Sequence, residues 1–210
     1  MKIDEEDVVA VLNLPRDPRK VLDTSKGGDN YEYYELVQEW KGRWGGVPTN
    51  AVIEDNLVKR NDAGVNFERD FIVFVVSSFL YGHKNTKCKF KVLKSLKDVE
   101  KIKDYNWCQY TIKALVESQI KWRVKRTESF YFEPLTLLVL CYLDRTEYMY
   151  SEPRVFPVIK NWDTDKIKIR SDMEISGDEF GNVRVHDHLN IPLEQKVEDE
   201  DSQQKSNCDN

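Results

Sequence analysis

A chain of 210 residues, 40% hydrophobic and 11% aromatic, is long enough for one ordinary domain, or a domain with a tail, and apolar enough to bury a real core. A net charge of -5, with a pI near 5.4, gives no global attraction to nucleic acid or an anionic membrane, and 33% charged residues with a mean hydropathy of -0.63 keep part of the chain solvated. The opening "MKIDEEDVVAVLNLP" is acidic at once and unlike a signal peptide, and the most apolar run, "PLTLLVLCYL" (134–143), is about half the ~20 residues of a spanning helix, so a soluble protein is expected.

In chain order, residues 4–14 predict a short helix. Asp4 is placed to cap it, Glu5, Glu6 and Asp7 suit its positive end, Val8, Val11 and Leu12 share a face, and Pro15 stops it. The stretch "PRDPRKVLDTSKGGDN" is expected to be a loop. A second helix is predicted from Asp29 or Asn30 to Trp44 on the stripe Tyr33, Leu36, Val37 and Trp40, ended by Gly45, Gly46 and Pro48. Asn50 is the expected cap of a third, with Val52, Ile53 and Leu57 on its apolar side. Residues 66–82 carry Phe67, Phe71, Phe74, Val75 and Phe79 near helical spacing, which predicts a helix buried on several sides and ended by Gly82.

Ser95 is expected to cap a helix with Leu96, Val99 and Ile102 as a narrow apolar stripe. Residues 107–125, with Asp104 or Asn106 as the expected cap, give a clear amphipathic pattern: Cys108, Ile112, Leu115, Val116 and Ile120 on one side, Lys113, Glu117 and Lys121 on the other. Residues 133–145 predict a last helix, with Pro134 in its first turn and Leu135, Leu137, Leu138, Val139, Leu140 and Leu143 all round it, so a central place in the bundle is expected. The fold class is therefore mainly α, an irregular multi-helix bundle over 1–150. Residues 151–193 lack a helical period and are expected to be an extended arm, partly ordered, anchored by Phe156, Ile159 and Trp162; 194–210 are expected to be a disordered acidic tail. The expected core is Phe71, Phe74, Trp107, Cys108, Ile112, Leu115 and Leu138.

Chemistry is sparse. Cys88, Cys108, Cys141 and Cys208 form no CxxC pair, which suggests neither a zinc site nor a redox couple and fits a reducing compartment. A catalytic cysteine needs a histidine to hold its thiolate, and no local signature ties His83, His186 or His188 to Cys108 or Cys141. Both cysteines are read as core. The "HDH" at 186–188 offers only two metal ligands, and the loops "KGGDN" (26–30) and "RWGGVP" (43–48) lack phosphate-loop spacing. No catalytic residue, cofactor or metal is therefore expected. The candidate nucleic-acid contacts are Lys121, Arg123, Lys125 and Arg126, with Trp122, Phe130 or Tyr131 as stacking groups. Four phosphate contacts give a salt slope of about -3.6 on duplex DNA, a weak interaction.

Several ordered phrases resemble one known family. "IDEEDVVAVLNLPRDPRKV" is similar to the opening of plant mobile domains, and "NFERDFIVFVVSSFLYG", "SLKDVEKIKDYNWCQYTIKALVESQIKW" and "FEPLTLLVLCYLDR" resemble their later helices. Asn106 and Trp107 match a dipeptide that opens a helix there; Tyr142, Leu143 and Asp144 match the end of a leucine-rich helix. The resemblance covers about residues 3–160. It departs at "LPRDPRK", where a glycine usually follows the proline, and the chain looks truncated at its N-terminus. Such domains, often described as aminotransferase-like, derive from transposable elements and are often fused to a SUMO-protease-type cysteine peptidase. No lysine here stands in a pyridoxal-phosphate setting, and no peptidase half follows. The resemblance implies a non-catalytic module that binds a protein partner, nuclear rather than cytoplasmic. The alternatives are an accessory part of a SUMO-protease-like protein lacking its catalytic half, and a weak nucleic-acid-binding module.

Overall fold

A computed structural model of the chain describes residues 1–23, 31–81, 87–124, 134–147, 155–177 and 183–186. The protein is mainly helical; the described residues contain isolated β-bridges but no strand. Two compact units are distinguished: a terminal unit of Met1–Asn13 with Val139–Asn210, and a middle unit of Leu14–Leu138.

In the terminal unit, α1 (Glu5–Leu12) begins with a reciprocal cap. The Asp4 carboxylate accepts from the Glu6 N–H at 3.0 Å, and the Asp7 carboxylate accepts from the Asp4 N–H at 2.9 Å. The helix ends earlier than Pro15 requires, because Asn13 turns left-handed at φ 52° and donates its N–H to the Val9 carbonyl at 2.9 Å. The 3₁₀ turn Val158–Asn161 packs on α1. Helix α6 (Leu135–Arg145) gives Val139–Arg145 to this unit and Leu135–Leu138 to the other.

The expected arm is corrected here: Thr164–Ser176 form a helix, α7, capped by Asp163, whose carboxylate accepts from the Lys166 N–H at 2.8 Å. Its buried positions are Arg170 and Glu174, while Ile169, Met173 and Ile175 face solvent. A search for apolar periodicity reads such a helix as irregular, since its inward stripe is ionic. Of the expected anchors, Ile159 is exposed and Phe156 and Trp162 are half-buried; Pro157 and Val158 are buried.

The middle unit holds α2 (Tyr31–Trp44), α3 (Asn50–Lys59), α4 (Val65–Val75), which runs on into a π-helical turn, Val76–Leu80, then two 3₁₀ helices, Phe90–Ser95 and Val99–Asp104, and α5 (Trp107–Val124). Helix α2 ends as its glycines predict. Gly45 and Gly46 take φ of 64° and 138°, and the Gly46 N–H reaches back to the Lys41 carbonyl at 2.8 Å. Thr49, not Asn50, caps α3, accepting from the Val52 N–H at 3.3 Å. Ser95 caps no helix; its hydroxyl accepts the Leu22 N–H at 2.7 Å and holds the 14–23 segment.

The expected core is right at Trp107 and Cys108 and displaced elsewhere. Phe71 is 46% exposed, stacked on Phe67 with ring centroids 6.3 Å apart, and Phe74 is half-buried against the edge of Phe79. The inward face of α4 and its π turn is instead Asp70, Val73, Val76, Ser77 and Leu80. The cause is Asp70, a carboxylate that must reach its partners inside, which rotates the phenylalanines outward. Ile112, Leu115 and Leu138 are half-buried, and Leu135 and Val139 are exposed, so α6 is not apolar-packed all round. The expected tail 194–210, and residues 178–182 and 187–193 of the arm, lie outside the described residues.

Candidate interaction surface

The cysteines come first, because they are the groups most easily mistaken for chemistry. Asn106 caps α5, its amide oxygen accepting the Gln109 N–H at 2.7 Å, and the Trp107 indole N–H donates to the Ile102 carbonyl at 2.8 Å. The Asn-Trp pair therefore starts the helix and pins it. One position on, Cys108 is wholly buried, with Sγ 3.2 Å from the Leu14 carbonyl oxygen. The Cys88 thiol lies 3.0 Å from the Asn50 amide oxygen, and burial pushes its pKa up to about 11, with Ser77 pulling weakly the other way. Burial likewise pushes Cys141 far above the usual thiol range, and Asp7 adds to the shift. Thiols so held are protonated at neutral pH and poor nucleophiles.

Leu14 revises one expectation from general principles, that serine at 108 is worse than alanine because it buries a hydroxyl. The carbonyl acceptor is already in place, so the hydroxyl would not be orphaned. Cys108→Ser and Cys108→Ala are each expected to cost about 1–2 kcal/mol in urea unfolding, and native Cys108 to resist iodoacetamide for hours. Alkylation within minutes under native conditions would show that the thiol is accessible after all.

His186 Nε2 sits 3.5 Å from Glu147 Oε2, while His83, His188 and Cys208 lie outside the described residues. Among the described residues no group of three or more His, Cys, Asp or Glu side chains converges as a metal site would require, and no helix is long and apolar enough to cross a membrane.

The buried charges, which sequence patterning missed, are tied to one another. Asp70 accepts the Trp40 indole N–H at 2.7 Å, both Arg43 Nη groups at 3.0 and 3.1 Å, and Arg60 Nη1 at 3.1 Å. In the terminal unit Arg145 pairs with Asp7 and donates to the Lys2 and His186 carbonyls, at 2.6 and 3.0 Å. Glu174 pairs with Arg170 and accepts the Tyr142 hydroxyl at 2.7 Å. Paired charges within a helix and a loop are a weak sequence signal, and no periodicity search would have selected them.

What is left open is one side of α5. Its buried face is Trp107, Cys108, Tyr110, Thr111, Ala114 and Ser118. Val116, Ile120 and Val124, spaced by four and so on one line of the helix, are 47%, 58% and 77% exposed. Lys113, Lys121 and Arg123 flank that line and are exposed; Glu117 pairs with Lys113 at 3.8 Å and holds the Tyr81 hydroxyl at 2.7 Å. The candidate contacts Lys121 and Arg123 thus belong to the last turn of α5, beside half-buried Trp122; Lys125 and Arg126 lie outside the described residues.

Residues 1–139 match a family described as a domain of unknown function, DUF8566. The chain belongs to that family. No curated protein and no solved structure matches it. The DUF8566 match takes in α1 to α5, including both flanks of the exposed α5 line, and its description carries no activity.

Proposed function

We propose that this DUF8566 chain is a non-catalytic protein-interaction module, a transposon-derived relative of plant mobile domains acting in the nucleus, and that it docks a partner helix along the outward side of α5. The mobile-domain part rests on the resemblance at Asn106–Trp107 and Tyr142–Asp144; that Asn106 caps α5 and Trp107 pins it gives the dipeptide the helix-opening role the resemblance implies. A non-catalytic role is supported by the state of the described thiols and buried charges, which are engaged in packing and pairing.

The observation that carries the docking is the exposed line Val116, Ile120 and Val124 between the cations Lys121 and Arg123. Apolar residues at four-residue spacing suit a second helix laid alongside, and the flanking positive charge selects a helix with acidic edges. The partner is therefore an amphipathic helix with leucines on one face and glutamates beside them.

A labelled peptide of that pattern is the test, with a second in which lysines replace the glutamates. The acidic peptide is expected to bind with a Kd of about 10–100 μM, and Ile120→Asp to weaken it at least tenfold. Equal binding of the two peptides, or binding indifferent to Ile120→Asp, would refute the proposal.

A further inference from the structure

A second surface lies on the middle unit and carries a different chemistry. Between residues 87 and 104 stand seven lysines, at 87, 89, 91, 94, 97, 101 and 103, against Asp98, Glu100 and Asp104, in a chain whose net charge is -5. The segment is anchored from beneath and from its flanks. Val92, Leu93 and Leu96 are fully buried beneath it, the Arg69 guanidinium donates to the Leu96 and Lys97 carbonyls at 3.0 and 2.9 Å, and the Cys88 N–H donates to the Pro48 carbonyl at 3.1 Å. In a 3₁₀ helix side chains three apart stand in line, so Lys91 and Lys94 are about 6 Å apart along it.

Aromatic rings are interleaved with these cations. The Lys89 ammonium is 3.2 Å from the centroid of the Tyr81 ring, the Lys41 ammonium 4.5 Å from that of Phe90, and the Lys94 ammonium 6.0 Å from that of Tyr33. Tyr34 is 61% exposed and lies two turns before Lys41 on the same side of α2. Helical periodicity puts Glu35 and Glu39 on the other flank, and Glu32 is engaged with Lys97. Lys87 and Lys91 are exposed and make no ion pair among the described residues.

We infer that this surface binds single-stranded nucleic acid: Lys41, Lys87, Lys89 and Lys91 meet the phosphates, and Tyr34 stacks on an unpaired base. The exposed ring decides for a single strand, because a duplex keeps its base faces covered and a folded acidic protein offers none. The inference does not depend on the α5 docking proposal, since the two use different residues.

A labelled twelve-residue oligothymidine, titrated by fluorescence anisotropy at several salt concentrations, tests it on the full chain. Saturable micromolar binding is expected at 50 mM salt, with a log-affinity slope of about -2.8 for four contacts at ~0.7 each. A duplex of equal length should bind at least tenfold more weakly. Tyr34→Ala should weaken oligothymidine binding about tenfold. Lys87→Glu/Lys91→Glu should abolish it while leaving the thermal midpoint unchanged. The inference is overturned if no saturable binding appears at 50 mM salt, if the duplex binds as tightly, or if the lysine reversals leave affinity intact. Loss of binding in Arg123→Glu alone would also overturn it, by moving the site to the end of α5.

Discussion

Replacing Asp70 with alanine should lower the unfolding free energy by about 3–5 kcal/mol, a large part of the stability of an ordinary domain. The carboxylate is fully buried and is met by the Trp40 indole and two guanidiniums; its loss strands the Arg43 charge and an N–H together, while Arg60 keeps Asp62 at 2.8 Å. The side chains of Arg43 and Arg60 are 28% and 19% exposed, which lets water solvate part of the stranded charge and favours the lower end of the range. Trp40→Phe removes only the indole donor and should cost about 1–2 kcal/mol. Urea unfolding followed by circular dichroism measures both. A loss below about 1 kcal/mol for Asp70→Ala would mean the cluster is held by packing alone.

The Arg170–Glu174 pair in the terminal unit should behave differently when both members are changed. Each side chain is 1% exposed; Glu174 also accepts the Tyr142 hydroxyl, and Arg170 Nη2 reaches the Thr146 hydroxyl at 3.2 Å. Glu174→Ala takes the Glu174 carboxylate from a buried guanidinium and from the Tyr142 hydroxyl and should cost about 3–5 kcal/mol. Arg170→Met/Glu174→Leu removes both charges and fills similar space, so it should be close to neutral, or stabilising by a few kcal/mol. The coupling is read from a double-mutant cycle of thermal melts together with the rate of proteolysis within α7. If the double variant is as unstable as the single, the pair is not the source of the effect.

The legible parts of the fold were those set by local chemistry. Asp4 capping α1, the paired glycines ending α2 and Asn106 opening α5 each satisfy backbone groups within a few residues, and those signals lie in the chain order itself. What was not legible depended on partners far away. Asp70 turns the α4 face because Arg43 and Arg60 wait for it from other elements, and α7 looks irregular because its inward residues are Arg170 and Glu174. The α5 pattern groups Val116 and Ile120 with Cys108, Ile112 and Leu115, yet Val116 and Ile120 are exposed, since hydrophobicity tells which residues share a side and not which side faces inward. Cys108 was placed correctly, although it lies on the face with Thr111 and Ala114 rather than with Val116 and Ile120.

The start of α5 is also a closure point for the chain. The Trp107 N–H bonds to the Pro15 carbonyl, the Asn106 N–H to the Arg19 carbonyl, and the Cys108 thiol to that of Leu14 across 94 residues of sequence. Joining ends that far apart costs about 4 kcal/mol of chain entropy. These bonds should therefore form late in folding, after the helices between them have shortened the loop. Weakening them should then speed unfolding far more than it slows folding, so the seam between residues 14–19 and 106–108 sets how long the middle unit stays shut.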